Sequence, residues 1–182
     1  MPITEILNKN AELWPDDVAL VEINPEQPET RKLTWHEYEL VEPTHRHRHY
    51  RREISWEVFN EKANRLANML QQNGIGKGKK VAILLMNCIE WLPIYFGILK
   101  SGALAVPLNF RYSADEIDYC LSLAEANVLI FGPEFVSRMD LIAESVSHVK
   151  MFYVGKNGPA YTEDCLRLMS YCSSNPPPIE MK

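Results

Sequence analysis

From Ser55 onward, apolar residues recur first at helical and then at strand-like intervals, and the change of period repeats with short connections between. This is the pattern of β–α–β units, and it commits the chain to a largely parallel sheet covered by helices. The first long helix shows how the residues impose it. Ser55 is a capping residue, Phe59, Ala63, Leu66, Ala67 and Leu70 line one face, and Gly74 stops the helix. Val81 to Leu85 is then apolar without a break between Lys79-Lys80 and Asn87, as a strand buried on both faces requires.

The next apolar helix spans about Ile89 to Ser101 and stops at Gly102. Pro93 lies inside that span, so the helix must either kink or start later. Leu104 to Leu108 reads as a strand with Pro107 at its end, and Ser113-Ala114-Asp115-Glu116 is a capping box. Ile117, Cys120, Leu121 and Ala124 carry that helix to a strand at Val128 to Phe131, and Pro133 suits the first turn of another helix. Val149 to Val154 is a further strand, and Thr162 can cap a helix running to about Tyr171.

Upstream the pattern is less regular, with a short helix at about Thr4 to Leu13, a turn at Pro15-Asp16-Asp17 and a strand at Val18 to Ile23. A polar insertion comes next, and it holds an echo: LTWHEY at Leu33 to Tyr38 resembles ISWEVF at Ile54 to Phe59. Pro43 interrupts the residues after the first copy, whereas a full amphipathic helix succeeds the second, so the second is the strand that feeds the helix. The expected organisation is an N-terminal helix, strand and basic insertion over 1–53, an α/β subdomain over 54–175, and a Pro-rich linker over 176–182. The expected fold class is three-layer α/β, with a mostly parallel sheet flanked by helices.

With 182 residues and 46% hydrophobic content, the chain has ample material for one packed core. A net charge of −5 gives no overall attraction to nucleic acid. Cys88, Cys120, Cys165 and Cys172 form no CxxC pair and read as reduced core thiols. The polar N-terminus is unlike a secretory signal, which leads to the expectation of a cytoplasmic protein. The longest apolar stretch, Trp91 to Leu108, is broken by Pro93, Lys100, Gly102 and Pro107, so it fits a buried helix and strand better than a membrane span.

Two segments invite a ligand. Gly74 to Lys80 is rich in glycine and lysine, but it follows a helix and lacks a hydroxyl residue after the lysine, so it reads as a helix stop and turn. His45, His47 and His49 alternate with Arg46 and Arg48 and share one side of an extended segment, which would suit a metal. The interleaved arginines repel a cation, so a solvated hairpin or loop is the favoured reading, with a phosphate or anionic-surface contact as the alternative.

Three colinear segments resemble a known family: ISWEVFNEKANRLANMLQQNGIGKGKKVAILL from Ile54, NCIEWLPIYFGILKSGALAVPLNFRY from Asn87, and SADEIDYCLSLAEANVLIF from Ser113. They look like the first core motifs of the adenylate-forming acyl-CoA synthetases, with Leu99 to Asn109 matching the LKxGAxxVPLN motif closely. The resemblance implies the N-terminal portion of a ligase that makes an acyl-adenylate from ATP and a carboxylic acid and then passes the acyl group to CoA. It also implies Mg²⁺, a phosphate loop, a magnesium-binding glutamate and a mobile C-terminal domain in the whole enzyme. None of these elements is matched within the 182 residues, so the resemblance implies no catalytic residue here, an inactive chain by itself, and no tight binding of ATP, Mg²⁺ or CoA.

One position is an exception. In related aryl-CoA ligases the arginine of an NxR turn meets the nucleotide phosphates of CoA, and Arg111 of Asn109-Phe110-Arg111-Tyr112 occupies the matching place. The apolar helix after Asn87 leans the substrate toward a fatty-acyl or aryl acid. Apolar surface left at the edge of such a piece would favour self-association. The rival expectations are a stand-alone α/β binding or regulatory module, and a metal-binding protein using His45, His47 and His49.

Overall fold

The computed structural model describes residues 2–23 and 51–178. Among them the elements run in this order: α1 Ile3–Leu13, β1 Val18–Ile23, β2 Arg51–Ser55, α2 Trp56–Gln72, β3 Lys80–Leu84, α3 Trp91–Lys100, β4 Leu104–Pro107, α4 Ala114–Ala124, β5 Val128–Phe131, α5 Val136–Ile142, β6 Lys150–Tyr153, β7 Glu163–Asp164 and α6 Cys165–Ser170. A single 3-10 turn, Pro133–Phe135, precedes α5 and places Pro133 where its missing N–H has no helical partner to lose. The echo segment at 33–38 and the His45–His49 run lie outside the described residues.

Five strands form a sheet in the order β4-β3-β5-β6-β7, with every neighbouring pair parallel. Their alternation divides the interior into two cores. Val81, Ile83, Val128, Ile130 and Phe152 face α2, α3 and α6, which supply Leu66, Met69, Leu70, Ile94, Ile98 and Met169. Ala82, Leu84, Leu129, Phe131 and Met151 face α4 and α5, which supply Ile117, Leu121, Met139 and Ile142. The architecture is therefore three layers, helices–sheet–helices, as the period changes dictate. Every residue of β5 is buried, and so are Val81 to Leu84 of β3, which is why these stretches carry no polar position.

Beyond the sheet, β1 and β2 pair antiparallel and lie with α1 over the outer side of α2, enclosing Leu7, Phe59 and Ala63. Strand β2 passes directly into α2, whose cap is Ser55: its hydroxyl accepts from the Val58 amide at 3.3 Å. The segment ISWEVF is thus the one that feeds the long helix.

Helix α3 begins at Trp91, directly after Glu90, so Pro93 stands third in the helix among the amides that have no helical acceptor. The later start removes the need for a kink. The C-terminal helix departs from its expected cap. Thr162 spends its hydroxyl on the Pro159 carbonyl at 2.7 Å, while Asp164 accepts from the Arg167 amide at 2.9 Å. Pairing of β7 with β6, which sets Tyr153 opposite Asp164, keeps residues 163 and 164 extended and delays the helix to Cys165.

Helices α2 and α3 touch at Gly97. A Cβ built there would stand 2.7 Å from Leu66 Cβ and 2.8 Å from the Ala63 carbonyl oxygen, both fixed by the backbone of α2. Alanine is the better helix former by about 1 kcal/mol, yet here it would have to push the helices apart, at a typical cost of about 1–3 kcal/mol. Gly97→Ala is therefore expected to lower the thermal unfolding midpoint; a midpoint at or above that of the wild type would show that the helices separate freely.

Candidate functional site

The strand order makes one end of the sheet special. From β3 the chain moves to β4 on one side and then returns across β3 to β5 on the other. The connection after β3 leads to α3 on one face, and that after β5 leads to α5 on the opposite face. Two loops that diverge from neighbouring strands leave a crevice at the carboxyl ends, the place where open α/β sheets receive ligands. Three backbone bonds define this edge: Leu108 N–H to Ile83 O at 2.8 Å, Gly132 N–H to Leu84 O at 3.2 Å, and Val154 N–H to Phe131 O at 2.9 Å.

Arg111 stands on this edge, in the turn after β4. The turn is built locally: Asn109 Oδ1 accepts from the Arg111 amide at 3.0 Å, and Asn109 O accepts from the Tyr112 amide at 3.1 Å. Ser113 then opens α4 with the full capping box, its hydroxyl accepting from the Glu116 amide while the Glu116 carboxylate accepts from the Ser113 amide at 2.8 Å. Those bonds from Ser113 hold the Glu116 carboxyl below its ordinary pKa, and they occupy an acid close to the turn. The Arg111 guanidinium lies over the Phe110 ring at 5.4 Å, and the residue is exposed. Among the described residues no carboxylate lies within ion-pair distance of it. An exposed, planar cation with its donors free is suited to a phosphate.

Sequence reading did not find the residue that secures this turn. Arg138 of α5 donates from Nη1 to Phe110 O at 2.7 Å and to Tyr112 O at 3.0 Å. Nothing in the spacing of Arg138 announces it, since its acceptors are backbone carbonyls almost thirty positions upstream.

Two buried charge clusters also escaped notice. Glu90 receives both carboxylate contacts from Lys62 Nζ, at 3.1 and 3.0 Å, and lies 3.8 Å from Arg52, which also reaches Glu22 at 3.3 Å. This group pins the β1–β2 pair to α2 and to the start of α3. Lys100, buried at the end of α3, donates its ammonium to Asn8 Oδ1 at 2.6 Å, Asn60 Oδ1 at 2.5 Å and Asn64 Oδ1 at 2.7 Å. Three donors meet three acceptors, so the cluster joins α1, α2 and α3 and keeps nothing in reserve for a ligand. Lys100, isolated in an apolar run, and the Asn60/Asn64 pair one helical turn apart were the available signals.

The cysteines are all free thiols. Burial pushes the pKa of Cys88, Cys165 and Cys172 upward, which keeps those thiols protonated and unreactive at neutral pH. Among the described residues no group of three or more His, Cys, Asp or Glu is placed to hold a metal ion. His45, His47 and His49 lie outside the described residues. No described helix is long and apolar enough to cross a membrane.

The family model described as AMP-binding enzyme matches residues 7–180. The chain belongs to the AMP-binding enzyme family. Among its relatives is the long-chain-fatty-acid–CoA ligase FadD13 of Mycobacterium tuberculosis, 37% identical over 89 residues, which covers 49% of this chain and 18% of that protein. Another is the crotonobetaine/carnitine–CoA ligase of Citrobacter koseri, 34% identical over 110 residues, covering 59% of this chain and 21% of the relative. This AMP-binding chain thus aligns with about a fifth of the length of these curated relatives.

Solved structures share the fold. The anthranilate CoA ligase AuaEII, in complex with anthranoyl-AMP, superimposes with a TM-score of 0.75 at 22% identity, covering 96% of this chain and 30% of that one. The N-terminal domain of FACL13 from Mycobacterium tuberculosis does so with a TM-score of 0.73 at 23% identity, covering 99% and 38%. The three-layer arrangement is thus that of acyl-CoA ligase N-terminal domains.

The buried Lys100 gives stability a pH dependence. Burial lowers its pKa from the usual 10.5 to about 8, while the three carboxamide oxygens favour the charged form and oppose that shift. Because the folded pKa is the lower one, this contribution to stability is fully present above pH 10.5 and is lost as pH falls through about 8. Measured as urea midpoints, the stability of the wild type relative to Lys100→Met should rise between about pH 7.5 and 10. A difference that stays constant over that range would show that Lys100 titrates normally.

Proposed function

We propose that this chain supplies the N-terminal part of an ATP-dependent acid–CoA ligase acting on a fatty-acyl or aryl acid in the cytoplasm. The family match over residues 7–180 carries the reading, and the relatives named as long-chain-fatty-acid–CoA and crotonobetaine/carnitine–CoA ligases support it. In the complete reaction a carboxylate oxygen attacks the α-phosphorus of ATP and pyrophosphate leaves. The CoA sulfur then attacks the acyl carbon and AMP leaves with the bonding electrons. A carboxylate resists acyl transfer until its oxygen is bound as a mixed anhydride with phosphate, and such an enzyme must screen the triphosphate, commonly with Mg²⁺ and lysines.

The described residues contribute a scaffold and one phosphate contact. The buried strands fix the carboxyl edge of the sheet, and Arg111 projects from that edge as a guanidinium for the nucleotide phosphates of CoA. No described residue is assigned to ATP, Mg²⁺ or the carboxylic acid, and the 182-residue chain by itself makes no acyl-adenylate. Incubated with ATP, Mg²⁺ and a panel of fatty and aryl acids, it should catalyse no exchange between ATP and labelled pyrophosphate. Exchange above background would overturn the reading that this chain by itself lacks the adenylating machinery.

The Arg111 assignment has its own test. Adenosine 3′,5′-bisphosphate, the nucleotide end of CoA, should bind weakly and move the backbone amide NMR signals of residues 109–113. Arg111→Ala should weaken that binding by roughly tenfold, the effect of losing one charge-assisted contact. Unchanged affinity in Arg111→Ala would remove Arg111 from the site.

A further inference from the structure

Arg111 lies between two peptide groups whose carbonyls, those of Phe110 and Tyr112, both accept from a single nitrogen, Arg138 Nη1. Those two carbonyls bracket Arg111 in the chain, so one donor ties down the backbone on both sides of the side chain. The donor is itself anchored. The Arg138 guanidinium rests over the Phe135 ring at 5.4 Å, and Phe135 is buried in the core between the sheet and α4–α5. Arg138 follows β5, whereas the turn follows β4, and β3 separates those strands in the sheet. The contact therefore joins the turn after β4 to the first turn of α5, across the carboxyl end of β3.

We propose that Arg138 is a positioning residue: it holds the Asn109–Tyr112 turn in the one shape that presents Arg111 to an anionic phosphate. This rests on the reading of Arg111 as a phosphate contact. Without Arg138 the exposed turn keeps only its two local Asn109 bonds and the capping box after it, and each phosphate encounter must then select the competent shape from those it samples, which lowers the apparent affinity by the fraction of time spent elsewhere. Arg138 removes that loss without touching the ligand. The surrounding fold does not need it for burial, since Arg138, in the first turn of α5, is only partly buried.

The experiment compares the wild type, Arg111→Ala, Arg138→Ala and Arg138→Lys by titration with adenosine 3′,5′-bisphosphate, together with thermal midpoints and 15N relaxation of residues 109–113. Arg138→Ala should keep a near wild-type midpoint, show increased backbone motion confined to the turn, and bind about fivefold to tenfold more weakly. Lysine can donate to both carbonyls from one ammonium, so Arg138→Lys should recover most of the affinity, which a purely global stability effect would not do. If Arg138→Ala binds as well as the wild type while Arg111→Ala is impaired, the positioning role is overturned and the phosphate reading of Arg111 survives. If Arg138→Ala weakens binding but Arg138→Lys does not restore it, the two-carbonyl clamp is overturned. If Arg111→Ala binds like the wild type, or the wild type does not bind, the phosphate reading falls and this inference falls with it.

Discussion

Gly97 lets α3 lie directly against the backbone of α2, and much of one face of the molecule is arranged around that contact. With the two helices this close, Ile94 and Ile98 reach the sheet side by side with Leu66 and Leu70, so the layer over Val81, Ile83 and Ile130 is continuous. The same closeness brings the end of α3 within reach of Asn60 and Asn64, which together with Asn8 give the buried Lys100 acceptors for all three of its protons. At the other end of α3, Glu90 meets Lys62 of the same partner helix. Packing and polar pairing are thus consequences of one missing methyl group.

The carboxyl edge of the sheet carries the proposed contact. The carboxyl ends of β3 and β5 send their chains to opposite layers, and the β4 turn with Arg111 stands beside them. A guanidinium on an exposed turn is ordinarily a weak recognition element because its backbone wanders. Here the turn is braced from within by Asn109, at its end by the capping box at Ser113, and from across the sheet edge by Arg138. The proposed phosphate contact of Arg111 rests on this bracing.

What was legible in the sequence was local or periodic. Val18–Ile23 and Val128–Phe131 could be read to their end residues because turn-forming polar residues bound them on at least one side, and the Ser113 box because Ser113 and Glu116 satisfy one another. Pro93 gave the right constraint, and the later start of α3 obeys it. Thr162 failed as a cap because Asp164 is equally competent, and the choice between them belongs to a strand pair that no local pattern reports. The Arg138 clamp left no trace in the sequence, and the Lys100 cluster left only the isolated lysine and the Asn60/Asn64 spacing, for a related reason: their partners are backbone carbonyls or asparagines up to 92 positions away. Pairing of that kind follows from the fold and does not precede it.

The asparagines on the inner side of α2 show one more result of such pairing. Asn64 donates to Ser174 O at 2.8 Å, and Asn68 donates to Ser173 O and Asn175 O, each at 2.9 Å, so amides in the middle of the longest helix find their acceptors 105 to 110 residues later. Pro177, just beyond, is buried as well. During synthesis the helix leaves the ribosome long before those carbonyls exist, and closing so large a loop carries an entropic cost. Until then water must serve the carboxamides, and the groove beside α2 stays open. A helix made early is thus sealed only by the last described stretch of the chain, and the polar groove beside Asn64 and Asn68 can close only when that stretch has been made.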